Sequence, residues 1–147
     1  MTPLDLTLRP PRSCYAELDG LMLLPRTIDK ARALMPGGVA NGYFIDGPIQ
    51  GISGFFLQRL GVSEAAFYGA VREAATEDEV ATWLRSCVDV SIYPSLNATL
   101  QRITPQHAQS PELVRAEYAD TLALYPELHT IFDILDADDR RRYSHGA

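Results

Sequence analysis

The residues with the most chemical promise lie in one short run, Leu24-Pro25-Arg26-Thr27-Ile28-Asp29-Lys30-Ala31-Arg32. Lys30 is the single lysine of the chain, against twelve arginines. On a helix that starts at Pro25, the residues Arg26, Asp29, Lys30 and Ala33 share one face at i, i+3, i+4 and i+7. Arg26, Lys30 and Arg32 close to a helix N-terminus favour an anion such as a phosphate or carboxylate, and Asp29 can orient one of the cations. Asp29 or Lys30 is then the candidate acid–base group, and Arg9, Arg12, Arg26, Arg32 and Tyr43 are the candidate ligand-binding residues. In this reading Arg9 and Arg12 fold back from the N-terminal arm onto the helix and enclose the ligand. The competing reading is an exposed helix face laced by Arg26–Asp29 and Asp29–Arg32 pairs, each worth about 0.2–0.5 kcal/mol.

Other constellations fall short of a recognisable chemistry. The stretch Gly47-Pro48-Ile49-Gln50-Gly51-Ile52-Ser53-Gly54 lacks the order and the lysine of a phosphate-binding loop, and close packing of a neighbouring element explains its glycines as well. His107, His129 and His145 have no metal-ligand spacing, and no metal site or cofactor is called for. Asp133, Asp136, Asp138 and Asp139 fail the calcium-loop pattern, since the central glycine and the terminal glutamate are missing, and read as a helix end with a solvated continuation. No nucleophile elbow supports a serine triad. Of two cysteines, Cys87 falls on an apolar helical stripe and Cys14 in an irregular polar stretch, so Cys87 is expected buried and Cys14 exposed.

These residues must be positioned mainly by helices. The first twenty residues, with Pro10-Pro11, read as an extended arm. Pro25 to Met35 is a short amphipathic helix stopped by Pro36-Gly37-Gly38. Tyr43-Phe44-Ile45 is a candidate strand, paired with Leu21 to Leu24. Further helices are expected from Pro48 to Leu60 and from Ser63 to Ala74, with Ser63 as cap. Thr76-Glu77-Asp78-Glu79 is a capping box that opens the best stripe of the chain, Val80, Trp83, Leu84, Cys87 and Val88. A weaker helix starts at Pro94. Another starts at Ser110-Pro111, burying Val114, Tyr118, Leu122 and Tyr125, and a last helical face runs Leu128, Ile131, Phe132, Leu135. Residues 137–147 read as a frayed charged tail. The expected fold is all-α: one domain, 1–147, a bundle of six or seven short helices with at most one small β-hairpin.

The strings Asp5-Leu6-Thr7-Leu8-Arg9-Pro10-Pro11-Arg12-Ser13 and Leu24 to Arg32, with the ending Phe132-Asp133-Ile134-Leu135-Asp136-Ala137-Asp138-Asp139, resemble a bacterial family of about this length known as a domain of unknown function. The resemblance touches both ends and implies a shared fold; it supplies no mechanism. Gly47 to Gly54 departs from that family's pattern.

Composition narrows the function classes. Thirteen basic residues against 19 acidic ones give a net charge of −6, which argues against nucleic acid or an anionic membrane as partner. No apolar run reaches the roughly 20 residues of a membrane helix. The N-terminus has no secretory signal, and a reduced cytoplasmic protein is the economical expectation. Two readings remain. One is a pocket around the Arg26–Lys30 helix for an anionic small molecule, bound or acted upon. The other is an interaction or homodimerisation module whose apolar face, around Phe55-Phe56-Leu57, docks a partner or a second copy.

Overall fold

The structure, a computed structural model, describes residues 1–47 and 50–144. Pro48 and Ile49, the expected helix start, lie outside the described residues, as does His145 of the tail. The described residues form a mostly helical fold with one two-stranded antiparallel sheet.

The chain opens with the arm, which docks rather than hangs free. Leu6 is fully buried, and Val39 donates its amide to the Leu4 carbonyl and accepts from the Leu6 amide, a parallel bridge centred on Asp5. The sheet is not the one expected. Strand β1 (Glu17–Leu18) pairs with β2 (Leu21–Met22), and Tyr43 to Ile45 is irregular. The physical reason is the turn: Asp19 and Gly20 both take positive φ, 56° and 76°, as a tight hairpin turn of the primed type demands, and Asp-Gly supplies it at little strain.

Helix α1 (Leu24–Ala33) starts one residue before Pro25 and carries Lys30 and Arg32 in its last turn. It ends where Gly38 folds back so tightly that a Cβ would lie 2.5 Å from the Ala33 carbonyl oxygen. Nine of its ten residues are buried, which removes the exposed-face reading outright. This helix runs through the middle of the fold. It packs on β1 and on α3 (Glu64–Glu73), and α3 packs in turn on α4 (Glu77–Cys87).

Ahead of α3 lies α2 (Ile52–Leu60), whose Gly54 sits against the Asp46 side chain, where a Cβ would come within 2.7 Å of a carboxylate oxygen. Close packing thus accounts for that glycine. Phe56 and Leu57 are core residues, so the apolar docking face expected around them is not a surface. Ser63 accepts from the Ala66 amide at 3.1 Å and Thr76 from the Glu79 amide at 3.3 Å, the caps read from sequence.

On α4 the inward stripe is Val80, Leu84 and Val88; Trp83 is half-buried, its ring edge-on to Phe67. Cys87 is exposed and Cys14 fully buried, the reverse of the expectation. Cys87 lies on the flank of the stripe, whereas the docked arm carries Cys14 into the core, its carbonyl receiving the Leu23 amide. Helix α5 (Tyr93–Leu100) follows and packs on β2. The segment after Ser110 breaks in two at Tyr118, giving α6 (Pro111–Glu117) and α7 (Ala119–Leu124), so eight helices stand among the described residues where six or seven were expected. Tyr125, expected inward, is exposed.

The last helix, α8 (Ile131–Tyr143), overturns the frayed tail and the solvated acidic run. Ala137, Asp138 and Asp139 are buried, because both carboxylates find partners: Thr121 of α7 and Arg141 of the same helix at Asp138, Arg26 and Tyr43 at Asp139. Among the described residues no helix is long and apolar enough to cross a membrane.

Candidate functional site

Burying α1 on all sides forces its charged residues to find partners inside the protein, and they divide between two places. The first is an ion cluster at the arm. Asp29, with no exposed surface, accepts from the Arg12 amide (2.9 Å), from Arg12 Nε (3.1 Å) and Nη2 (3.0 Å), and from Arg9 Nη1 (3.2 Å). Arg12 continues to Glu77 at the start of α4. Burial opposes the charge on Asp29, but the hydrogen bonds from Arg12 and Arg9 outweigh it and hold the carboxyl below its usual range. Three of these bonds fall on Oδ2 and one on Oδ1, so this buried carboxylate serves as the anchor of two arginines. Arg9 and Arg12 fold back as expected, but onto Asp29, and none of the three lines the cavity described next. Arg32 is spent elsewhere, donating to the Thr2 carbonyl at 2.9 Å and to its hydroxyl at 3.1 Å.

The second place is a cavity of about 630 Å³ bounded by α1, the loop after it, α2, the end of α5, α6 and α8. Arg26, Lys30 and Tyr43 line it. Arg26 is 1% exposed, and its Nη1 donates to Asp139 Oδ2 at 2.7 Å and to the Arg12 carbonyl at 3.1 Å. Its Nε–H is buried and meets no acceptor among the described residues. Tyr43 donates its hydroxyl to the other oxygen of Asp139 at 2.6 Å and lies under the Arg142 guanidinium, 5.0 Å from ring centroid to cation. Burial, then the bond to Asp139, pushes the Tyr43 hydroxyl well above its usual pKa.

Lys30 differs from every other cation in these two clusters. It is 7% exposed, yet no carboxylate pairs with it among the described residues. Its Nζ donates to the Ser53 hydroxyl at 3.1 Å, in the first turn of α2. Thr27, whose hydroxyl donates to the Leu23 carbonyl at 2.8 Å, stands 3.3 Å from that same Ser53 oxygen. Burial first, and the Arg26 charge second, press the ammonium down to about 7, with Cys14 and Asp139 opposing more weakly.

The lining's charges are unbalanced. Asp139 is paired with Arg26, and Asp138 with Arg141, which leaves Lys30, Arg102 and Arg142 facing Glu117 alone. In a chain of net charge −6 the lining thus carries four cations against three carboxylates, Lys30 being buried and Arg102 and Arg142 exposed. Ile52, Phe55, Ile103 and Leu135 line the same cavity and supply apolar surface. Among the described residues no group of three or more histidine, cysteine or carboxylate side chains could hold a metal ion.

Ser53, Arg102, Arg142 and Asp139 escaped the reading of the sequence. For Asp139 a signal existed: in Ile131-Phe132-Asp133-Ile134-Leu135-Asp136-Ala137 the apolar residues fall on nearly every side of the helix, so some acids had to be buried. Arg102 and Ser53 reach the site only through the packing of α5 and α2, which no local spacing encodes.

Fold and site together define a small helical domain with a lone buried amine in a cationic, part-apolar cavity. The chain belongs to a family described as a domain of unknown function (DUF5069), which matches residues 8–141. Arg26, Lys30, Tyr43 and Asp139 all fall within the matched span; Arg142 lies one residue beyond it. No curated protein matches the chain.

Proposed function

We propose that this domain binds a small organic anion in the cavity beside α1, with Lys30 as the central contact. The observation that carries the reading is the Lys30 amine, buried on the cavity wall with a hydroxyl and no carboxylate for company. A buried cation without a counter-ion is costly, and a ligand carboxylate or phosphate removes that cost. Arg102 and Arg142 add attraction. The apolar wall suits the body of an organic anion better than a bare inorganic one, and a volume of about 630 Å³ lies in the ordinary range for small-molecule sites. Asp29, Arg9, Arg12 and Arg32 serve in this reading as scaffolding that fixes α1 and the arm.

The test is a thermal-shift screen of carboxylate and phosphate metabolites, repeated on Lys30→Met and on Arg115→Met, an exposed α6 residue off the cavity. A charge-assisted contact is worth about 1.5–3 kcal/mol, so Lys30→Met should bind any hit roughly ten- to hundredfold more weakly. Arg115→Met should match wild type. Hits that bind Lys30→Met as tightly as wild type place the anion site elsewhere.

A further inference from the structure

We propose that Lys30 condenses with the carbonyl group of a small 2-oxo acid held in the cavity, forming an imine at its Nζ. This deepens the anion-site reading and rests on it. The geometry meets what such an amine requires. Lys30 is desolvated, stands beside a second cation on the same helix, Arg26, and has no carboxylate to hold its proton; these are the arrangements that turn a lysine into a nucleophile. Its one hydrogen-bond partner, the Ser53 hydroxyl, fixes the Nζ while leaving it a free face toward the cavity it lines. Arg102 and Arg142 line the same cavity without carboxylate partners among the described residues, and suit the acid's carboxylate.

The step balances without a further reactant. The neutral amine adds to the carbonyl carbon, a C–N bond forms, and the two amine hydrogens leave with the carbonyl oxygen as water. Neither an electron donor nor an acceptor is consumed. Phe55 and Leu135 line the same cavity and supply apolar surface for the body of the acid. The depressed basicity of Lys30 supports the chemistry: at about pH 7.5 an amine of pKa about 7 holds roughly several hundred times more neutral form than one at 10.5.

Cyanoborohydride trapping tests it on the full chain, using a panel of 2-oxo acids from pyruvate to phenylpyruvate, with melting temperatures measured alongside. The only lysine being Lys30, peptide mapping separates it cleanly from the amino terminus. The expected result is one reduced adduct on the Lys30 peptide, a carboxyethyl group for pyruvate. It should form at least a hundredfold faster than at a free lysine and several-fold faster than at the amino terminus of the denatured chain, with a half-maximal rate near pH 7. Lys30→Met, shown folded by circular dichroism, should lose it. Labelling that is equal in native and urea-denatured protein overturns the proposal. Stabilisation by the acids without any adduct overturns the imine and leaves the anion site standing. Neither stabilisation nor adduct from any member overturns the imine, and absence of any hit in the carboxylate and phosphate screen as well overturns the anion site.

Discussion

Replacing Lys30 with methionine should make the protein more stable, and the gain should depend on pH in a calculable way. Methionine keeps the apolar stem in place while deleting the charge. In the folded chain Lys30 sits at about 7, against 10.5 in the unfolded chain. Between those values the unfolded state binds more protons than the native one, so stability rises with pH, by up to about 1.4 kcal/mol per unit. The rise is complete above the unfolded value and absent below the folded one. Over the whole window it amounts to about 5 kcal/mol; between about pH 7 and pH 9 it amounts to about 2–3 kcal/mol. Cys14 acts in the opposite direction higher up. Burial pushes its thiol from 9.0 to about 12, so the unfolded thiol ionises first and stability falls above about pH 9. Comparing wild type with Lys30→Met at each pH cancels that contribution. The variant loses the hydrogen bond to Ser53, at about 1 kcal/mol, and should still exceed wild type by about 2–4 kcal/mol at neutral pH. Urea unfolding across the pH range measures both quantities. A wild-type stability flat between about pH 7 and pH 9, with Lys30→Met no more stable, would show that Lys30 keeps its charge comfortably in the fold. A buried amine without a counter-ion could not behave in that way.

Three further outcomes follow from the structure. Arg12→Met removes two of the four donors to Asp29, Nε and Nη2, while the backbone amide of residue 12 and Arg9 remain, and should cost about 1–3 kcal/mol; because the Asp29 contribution is present above its normal range and fades as pH falls through its lowered value, acid unfolding should move to higher pH, with ligand affinity untouched. Thr76→Ala should cost about 0.5–2 kcal/mol through loss of the cap on Glu79, and an unchanged denaturation midpoint would contradict that cap. A thiol reagent should modify Cys87 rapidly in the native protein and Cys14 only on unfolding; two equally fast thiols would contradict the docked arm.

The sequence by itself determined most of the helices and their caps. Ser63 and Thr76 bond to the amide three residues on, and Pro36-Gly37-Gly38 stops α1, because these are local effects of a few backbone groups. It also singled out the Arg26–Lys30 segment, through the rarity of lysine and the mix of charges at helical spacing. What it left undetermined was which side of a charge is wet. Arg26, Asp29 and Lys30 read equally well as a solvated face, and only tertiary structure decides that α1 is wrapped on all sides by the arm, α2, α3 and α8. The same holds for Cys14, drawn into the core by the arm, and for Asp138 and Asp139, mistaken for a solvated tail. Partner choice is a long-range matter. Arg26 ignores Asp29 three residues away for Asp139, 113 positions along the chain, while Asp29 takes Arg12 and Arg9. Local spacing fixes which side chains share a turn; the desolvation of a buried charge is settled by whatever the rest of the chain brings to it, and Lys30 stands out because, among the described residues, it meets a hydroxyl and no carboxylate in an ion pair.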